Sequence, residues 1–106
     1  MRRPLCLFGH THVPAVFRWD GDLHAEAPPR GERFRLTLDE GVTYLVNCGA
    51  VGQPRDGDAR AAFGVLETDT RTLTVMRVPY DLAAAQAKII EAGLPEMLAQ
   101  RLAIGR

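Results

Sequence analysis

Over the first 80 positions, apolar residues come in short runs separated by turn signals; after Tyr80 the spacing turns helical. Residues 4–8 form a short apolar run ending at Gly9. Residues 15–19 follow, closed by Asp20-Gly21-Asp22, a strong turn signal that leads into residues 23–25. Pro28-Pro29-Arg30-Gly31 breaks the chain. Arg33-Phe34-Arg35-Leu36-Thr37-Leu38 alternates polar and apolar, as a strand with one face on a core must. Asp39-Glu40-Gly41 then turns the chain back into an apolar run at 42–46. Residues 62–68 and 72–78, joined by Asp69-Thr70-Arg71, read as a further hairpin rich in β-branched residues. The even spacing of these runs predicts a mainly antiparallel sheet.

Beyond Pro79-Tyr80, Asp81 is a good N-cap for an alanine-rich helix over 82–92, and Gly93 supplies its C-terminal stop. Pro95 opens a second helix, with Met97, Leu98, Leu102 and Ile104 on its apolar side. The expected class is α+β: strands and loops over 1–80, two helices over 81–106, in a single unit 1–106.

Composition narrows the function classes. Thirteen basic and thirteen acidic residues cancel, which argues against a broad nucleic-acid surface. No apolar run approaches the roughly 18 residues that suggest a membrane span. The apolar stretch at 5–8 is too short for the core of a signal peptide. Two cysteines, Cys6 and Cys48, do not make a disulfide framework, and a cytoplasmic location with free thiols is the expectation.

The chemistry concentrates at Leu7-Phe8-Gly9-His10-Thr11-His12-Val13-Pro14. If the segment is extended, residues i and i+2 point to one side, so His10 and His12 can reach one small volume. Neutral imidazoles suit Zn, Mn, Fe, Ni and similar ions. Gly9 would let the backbone leave the strand sharply, and Pro14 would stiffen the exit. The plain alternative is a pair of solvated loop histidines; another is a mononuclear zinc site using Cys6, His10 and His12. His24 reads as structural, and Asp20-Gly21-Asp22 and Asp56-Gly57-Asp58 as solvated acidic turns.

Gly9-His10-Thr11-His12-Val13-Pro14 after an apolar strand resembles the last signature motif of the calcineurin-like metallophosphoesterases, in particular the bacterial phosphodiesterase-like branch. Val46-Asn47-Cys48-Gly49-Ala50-Val51-Gly52-Gln53-Pro54-Arg55 resembles the loop that such proteins write with proline at the Cys48 position and serine at the Ala50 position. The tail from Arg77-Val78-Pro79-Tyr80-Asp81 through Ala92-Gly93-Leu94-Pro95 resembles their C-terminal end. The resemblance runs from Leu7 to about Ile104.

It implies the C-terminal half of an α/β/β/α sandwich, with His10 and His12 as ligands of two ions in a dinuclear site holding Mn, Fe, Zn, Ni or Co. Such a site hydrolyses phosphate mono- or diesters; Arg55 could meet substrate phosphate there, the alternative being a solvated or salt-bridged arginine. Thr11 would support rather than ligate, and Gly9, Asn47, Gly49 and Gly52 would shape the loops.

The family's remaining ligands come from Asp-x-His, Gly-Asp and Gly-Asn-His motifs N-terminal to the histidine pair, and none is present here. The resemblance therefore implies two ligands of a site completed elsewhere and little or no activity in the chain alone. It also implies mainly the second sheet of the sandwich, leaving an apolar face to be covered by self-association or by a partner chain. The alternative is a non-catalytic remnant acting as a binding or assembly module.

Overall fold

The computed structural model describes residues 4–28 and 31–106. Arg2, Arg3 and the Pro29-Arg30 break lie outside the described residues. The described residues form seven strands and two helices. They are β1 (Leu5–Phe8), β2 (Ala15–Trp19), β3 (Leu23–Glu26), β4 (Arg33–Thr37), β5 (Thr43–Asn47), β6 (Ala61–Glu67), β7 (Thr72–Val78), α1 (Leu82–Glu91) and α2 (Glu96–Ala103). The class is α+β and the pairing mostly antiparallel.

The strands make two sheets, ordered β1-β5-β2-β3 and β4-β7-β6. The hairpins β2–β3 and β6–β7 stand where their turn signals place them, in registers such as Trp19↔Leu23 and Glu67↔Thr72. Turn 39–41 behaves differently. It does not fold β4 back onto β5 but carries the chain from one sheet to the other: β4 pairs with β7 and β5 sits between β1 and β2. Tyr44 secures this corner, its hydroxyl accepting from the Asp39 amide at 3.0 Å.

The inner faces of the two sheets meet in one core. Val16, Tyr44 and Val46 of the first sheet pack with Leu73 of the second and with Leu38 from the corner, all at or below 7% exposure. Burying a Val or Leu side chain completely contributes about 2 kcal/mol. The chain thus supplies strands to both sheets, contrary to the expectation of mainly one. The reason is the crossing at 39–41, which a hydrophobic period cannot reveal.

The opposite face of the first sheet is also apolar. The registers align Cys6 with Leu45, Leu45 with Phe17, and Trp19 with Leu23, so these side chains share that face. Trp19, Leu23 and Leu45 are 55%, 67% and 37% exposed.

The Asp81 carboxylate accepts from the Ala84 amide at 3.0 Å and caps α1; left-handed Gly93 follows its end. The end of α2 is drawn back to the strand-end loops. Gly57 N–H donates to Gly105 O at 3.0 Å, and the Gln53 amide donates to Arg106 O at 3.2 Å. No helix among the described residues is long and apolar enough to cross a membrane.

Candidate metal-ligand loop

Strands β1 and β5 are parallel neighbours, and Phe8 lies opposite Asn47 at their shared C-terminal end. The two segments singled out by the sequence therefore leave the sheet side by side, although some 38 residues separate them. Loops at the carboxyl ends of adjacent parallel strands are a common place for a site.

The histidine loop is not extended. Thr11 N–H donates to Gly9 O at 3.0 Å, and both histidines take left-handed backbones, His10 at φ 79° and His12 at φ 62°. For a side chain with a Cβ this conformation costs on the order of 1–2 kcal/mol per residue. The sharp exit expected of Gly9 thus occurs at the histidines themselves. Gly9 has no left-handed φ and nothing within 4 Å of where a Cβ would stand; the same holds for Gly52.

Asn47 fastens this loop to β5. Its side chain is fully buried. Nδ2 donates to Gly9 O at 3.1 Å and to Thr11 Oγ1 at 2.9 Å, while Oδ1 accepts from Gly49 N–H at 2.9 Å. The Arg55 amide adds a bond to His12 O at 3.1 Å. The Arg55 side chain is exposed, its guanidinium donating to Gln53 Oε1 at 3.4 Å.

Gly49 has φ 89°, and a Cβ there would stand 2.9 Å from Ala62 Cβ and 3.0 Å from Pro14 Cγ. Its lack of a side chain lets the 47–52 loop lie against Pro14. Cys48 points inward; a Cβ on Gly64 would come 2.6 Å from its Sγ, so the thiol fills the space that Gly64 leaves. Burial pushes the Cys48 thiol up, which keeps it a neutral packing group.

His10 is exposed and His12 half-buried. His12 Nδ1 is closed to solvent and has no hydrogen-bond partner among the described residues. An unpaired buried ring nitrogen costs about 1–3 kcal/mol, a cost that metal ligation would remove. Among the described residues no three His, Cys, Asp or Glu side chains converge. The Cys6-His10-His12 zinc arrangement is therefore not formed. Cys6 sits beside Leu45 on the outer sheet face, two residues back along β1 from Phe8 at the strand's end.

The acidic turn at 56–58 is not the solvated loop its composition suggests. Asp58 accepts from the Arg60 amide at 3.0 Å, from Nε at 3.1 Å and from Nη2 at 2.8 Å. Asp56 pairs with the guanidinium of Arg77, a side chain only 10% exposed. The Arg60 guanidinium, with the Arg60 amide and Arg77 behind it, holds the Asp58 carboxyl down to about 2 against the cost of burial. Asp56, Asp58 and Arg77 line a cavity of about 140 Å³ with Val13 and Pro14, the two residues that follow the histidine pair in sequence. The turn at 20–22 does stay exposed, Asp20 meeting His24 Nε2 at 3.2 Å.

No family model matches the chain. An uncharacterised protein of Methanocaldococcus jannaschii is 37% identical over 102 residues, covering 96% of this chain and 40% of that protein. The crystal structure of a metallophosphoesterase from Sphaerobacter thermophilus matches the whole chain at 46% identity with a TM-score of 0.89, and 44% of that structure is covered. The chain spans less than half the length of either relative. The likeness takes in the whole of this chain, the histidine loop, the Asn47 loop and both sheets included, so the chain is similar in sequence and in fold to part of a metallophosphoesterase.

Proposed function

We propose that the chain contributes two metal ligands, His10 and His12, to a phosphoesterase site that hydrolyses phosphate mono- or diesters and is completed by residues outside it. The observation that carries this is His12 Nδ1, buried and unpaired, in a loop brought against Asn47 by parallel strands. The donors fit a divalent transition ion, with Mn, Fe, Zn, Ni and Co all accommodated by imidazole. When bound, such ions polarise the phosphoryl group and supply hydroxide at neutral pH. The chain's own part is to hold two neutral imidazoles at a fixed spacing and to present the Arg55 guanidinium at the same end of the sheet. With two nitrogen ligands and no third group converging among the described residues, the site needs ligands from elsewhere. A cytoplasmic location belongs to the same reading, supported by free Cys6 and Cys48.

Incubated with Mn²⁺ or Zn²⁺, the chain is expected to leave bis-p-nitrophenyl phosphate unhydrolysed above buffer. Zn²⁺ titration should nonetheless shift the ring signals of His10 and His12 in NMR spectra. Metal-dependent hydrolysis abolished by His12→Ala would overturn the incompleteness, and unshifted rings at millimolar Zn²⁺ would overturn the ligand assignment.

A second reading, an assembly module, is favoured by the exposed outer face carrying Trp19, Leu23 and Leu45. We propose that this face is covered by a second copy or by a chain supplying the rest of the domain. Light scattering should show a mass above the monomer at high concentration, lowered by Trp19→Glu. A strict monomer at every concentration would remove self-association.

A further inference from the structure

Resting on His10 and His12 as metal ligands, we propose that Asn47 and Thr11 form a positioning pair. Their bond locks the loop backbone and thereby sets the metal affinity of the two imidazoles. Asn47 is fully buried, and a buried carboxamide must be paired. Here the pairing also fixes which end is which. Gly9 O can only accept and Gly49 N–H can only donate, so a flipped amide would lose both bonds. Nδ2 divides its two protons between Gly9 O and Thr11 Oγ1, 38 and 36 residues away in sequence.

These bonds bracket the unusual backbone. His10, at φ 79°, lies between two anchored groups, Gly9 O and Thr11 Oγ1. His12, at φ 62°, lies between Thr11 and its own carbonyl, which the Arg55 amide holds at 3.1 Å. A left-handed non-glycine residue persists only where its surroundings over-determine it, and here that happens on both sides of each histidine. Thr11 Oγ1 accepts the Asn47 proton and is also 3.4 Å from both the amide nitrogen and the carbonyl oxygen of Val13, so one hydroxyl ties both flanks of His12 to the sheet. Groups that orient metal ligands from behind typically carry a 10–100-fold effect on affinity.

Thr11 is exposed, so its substitution leaves the core intact, and three variants separate positioning from general stability. Thr11→Ala removes the acceptor, Thr11→Ser keeps it, and Asn47→Asp replaces the donor with an acceptor facing Gly9 O. Each is read by Zn²⁺ titration of the histidine ring signals, by the intraresidue HN–Hα cross-peaks of His10 and His12, which are strong at left-handed φ, and by thermal unfolding. Thr11→Ala is expected to weaken Zn²⁺ binding about tenfold and to reduce both cross-peaks, with Tm held within about 4 °C. Thr11→Ser should keep affinity and cross-peaks, and Asn47→Asp should lose both. Wild-type affinity and cross-peaks in Thr11→Ala, or no rescue by Thr11→Ser, would overturn the pair. If the wild-type chain itself leaves Zn²⁺ unbound, the ligand assignment falls, and the cross-peaks alone still decide whether the pair holds the loop.

Discussion

Gly49→Ala is expected to destabilise the chain by about 2–4 kcal/mol, read as a lower midpoint in urea unfolding followed by circular dichroism. Two costs add. A residue with a Cβ at φ 89° is strained by on the order of 1–2 kcal/mol. The new methyl would also stand 2.9 Å from Ala62 Cβ and 3.0 Å from Pro14 Cγ, closer than methyl groups pack. Neither neighbour can yield easily. Ala62 is 2% exposed and its amide is bonded to Ala50 O at 2.9 Å; Pro14 is a buried ring. The loop must therefore lift, and the Gly49 N–H bond to Asn47 Oδ1 goes with it. Gly52→Ala, with open space and no left-handed φ, should change stability by no more than about 0.5 kcal/mol. Equal effects from the two substitutions would refute the close-approach account of Gly49.

That contrast marks how far the sequence could be read. Both glycines stand in the same loop and look alike in a string of letters. Which of them is pressed against Pro14 depends on strands that meet only after folding. Local signals did their part. Asp20-Gly21-Asp22 and Asp69-Thr70-Arg71 place two hairpins, and Asp81 and Gly93 bound the first helix. Asp39-Glu40-Gly41 also marks a turn, but a turn signal does not say which sheet receives the next strand, and here the chain crosses between sheets. The parallel pairing of Leu5–Phe8 with Thr43–Asn47 is equally non-local, yet it brings the histidine loop to Asn47.

In the loop, the spacing of His10 and His12 could be read as candidate ligand chemistry. Their left-handed backbones could not, because the bonds that flank them come from Asn47 and the Arg55 amide, far away in sequence. The pairing of Asp56 with Arg77 was hidden for the same reason, the two being 21 residues apart. Arg77, the one charged residue of β7, was its one signal.

Arg77→Ala carries the second large effect, a loss of about 3 kcal/mol near neutral pH. The Arg77 side chain is 10% exposed, and its guanidinium serves Asp56, Asp58 at 3.9 Å and the Arg60 carbonyl at 3.3 Å. Removing one member of a buried ion pair typically costs about 3–5 kcal/mol, because the remaining charge keeps its desolvation and loses its partner. The low end applies here, since Asp56 and Asp58 retain 22% and 18% exposure and Asp58 keeps Arg60. Acid separates charge from packing. The Asp58 carboxyl titrates near 2 when folded, below its ordinary value of 3.8, so its contribution is full above the unfolded value and fades as pH falls toward 2. Wild-type stability should therefore drop through that window by on the order of 1–2 kcal/mol from this group. In the variant the Asp58 carboxyl, with less positive charge beside it, protonates at higher pH and sheds its penalty sooner. The gap between wild type and Arg77→Ala should narrow as pH falls from 6 to 2.5 in parallel urea titrations. A gap that stays constant would assign the loss to the packing of the arginine stem, and would leave the ion pairs of Arg77 with Asp56 and Asp58 with no net stabilising role.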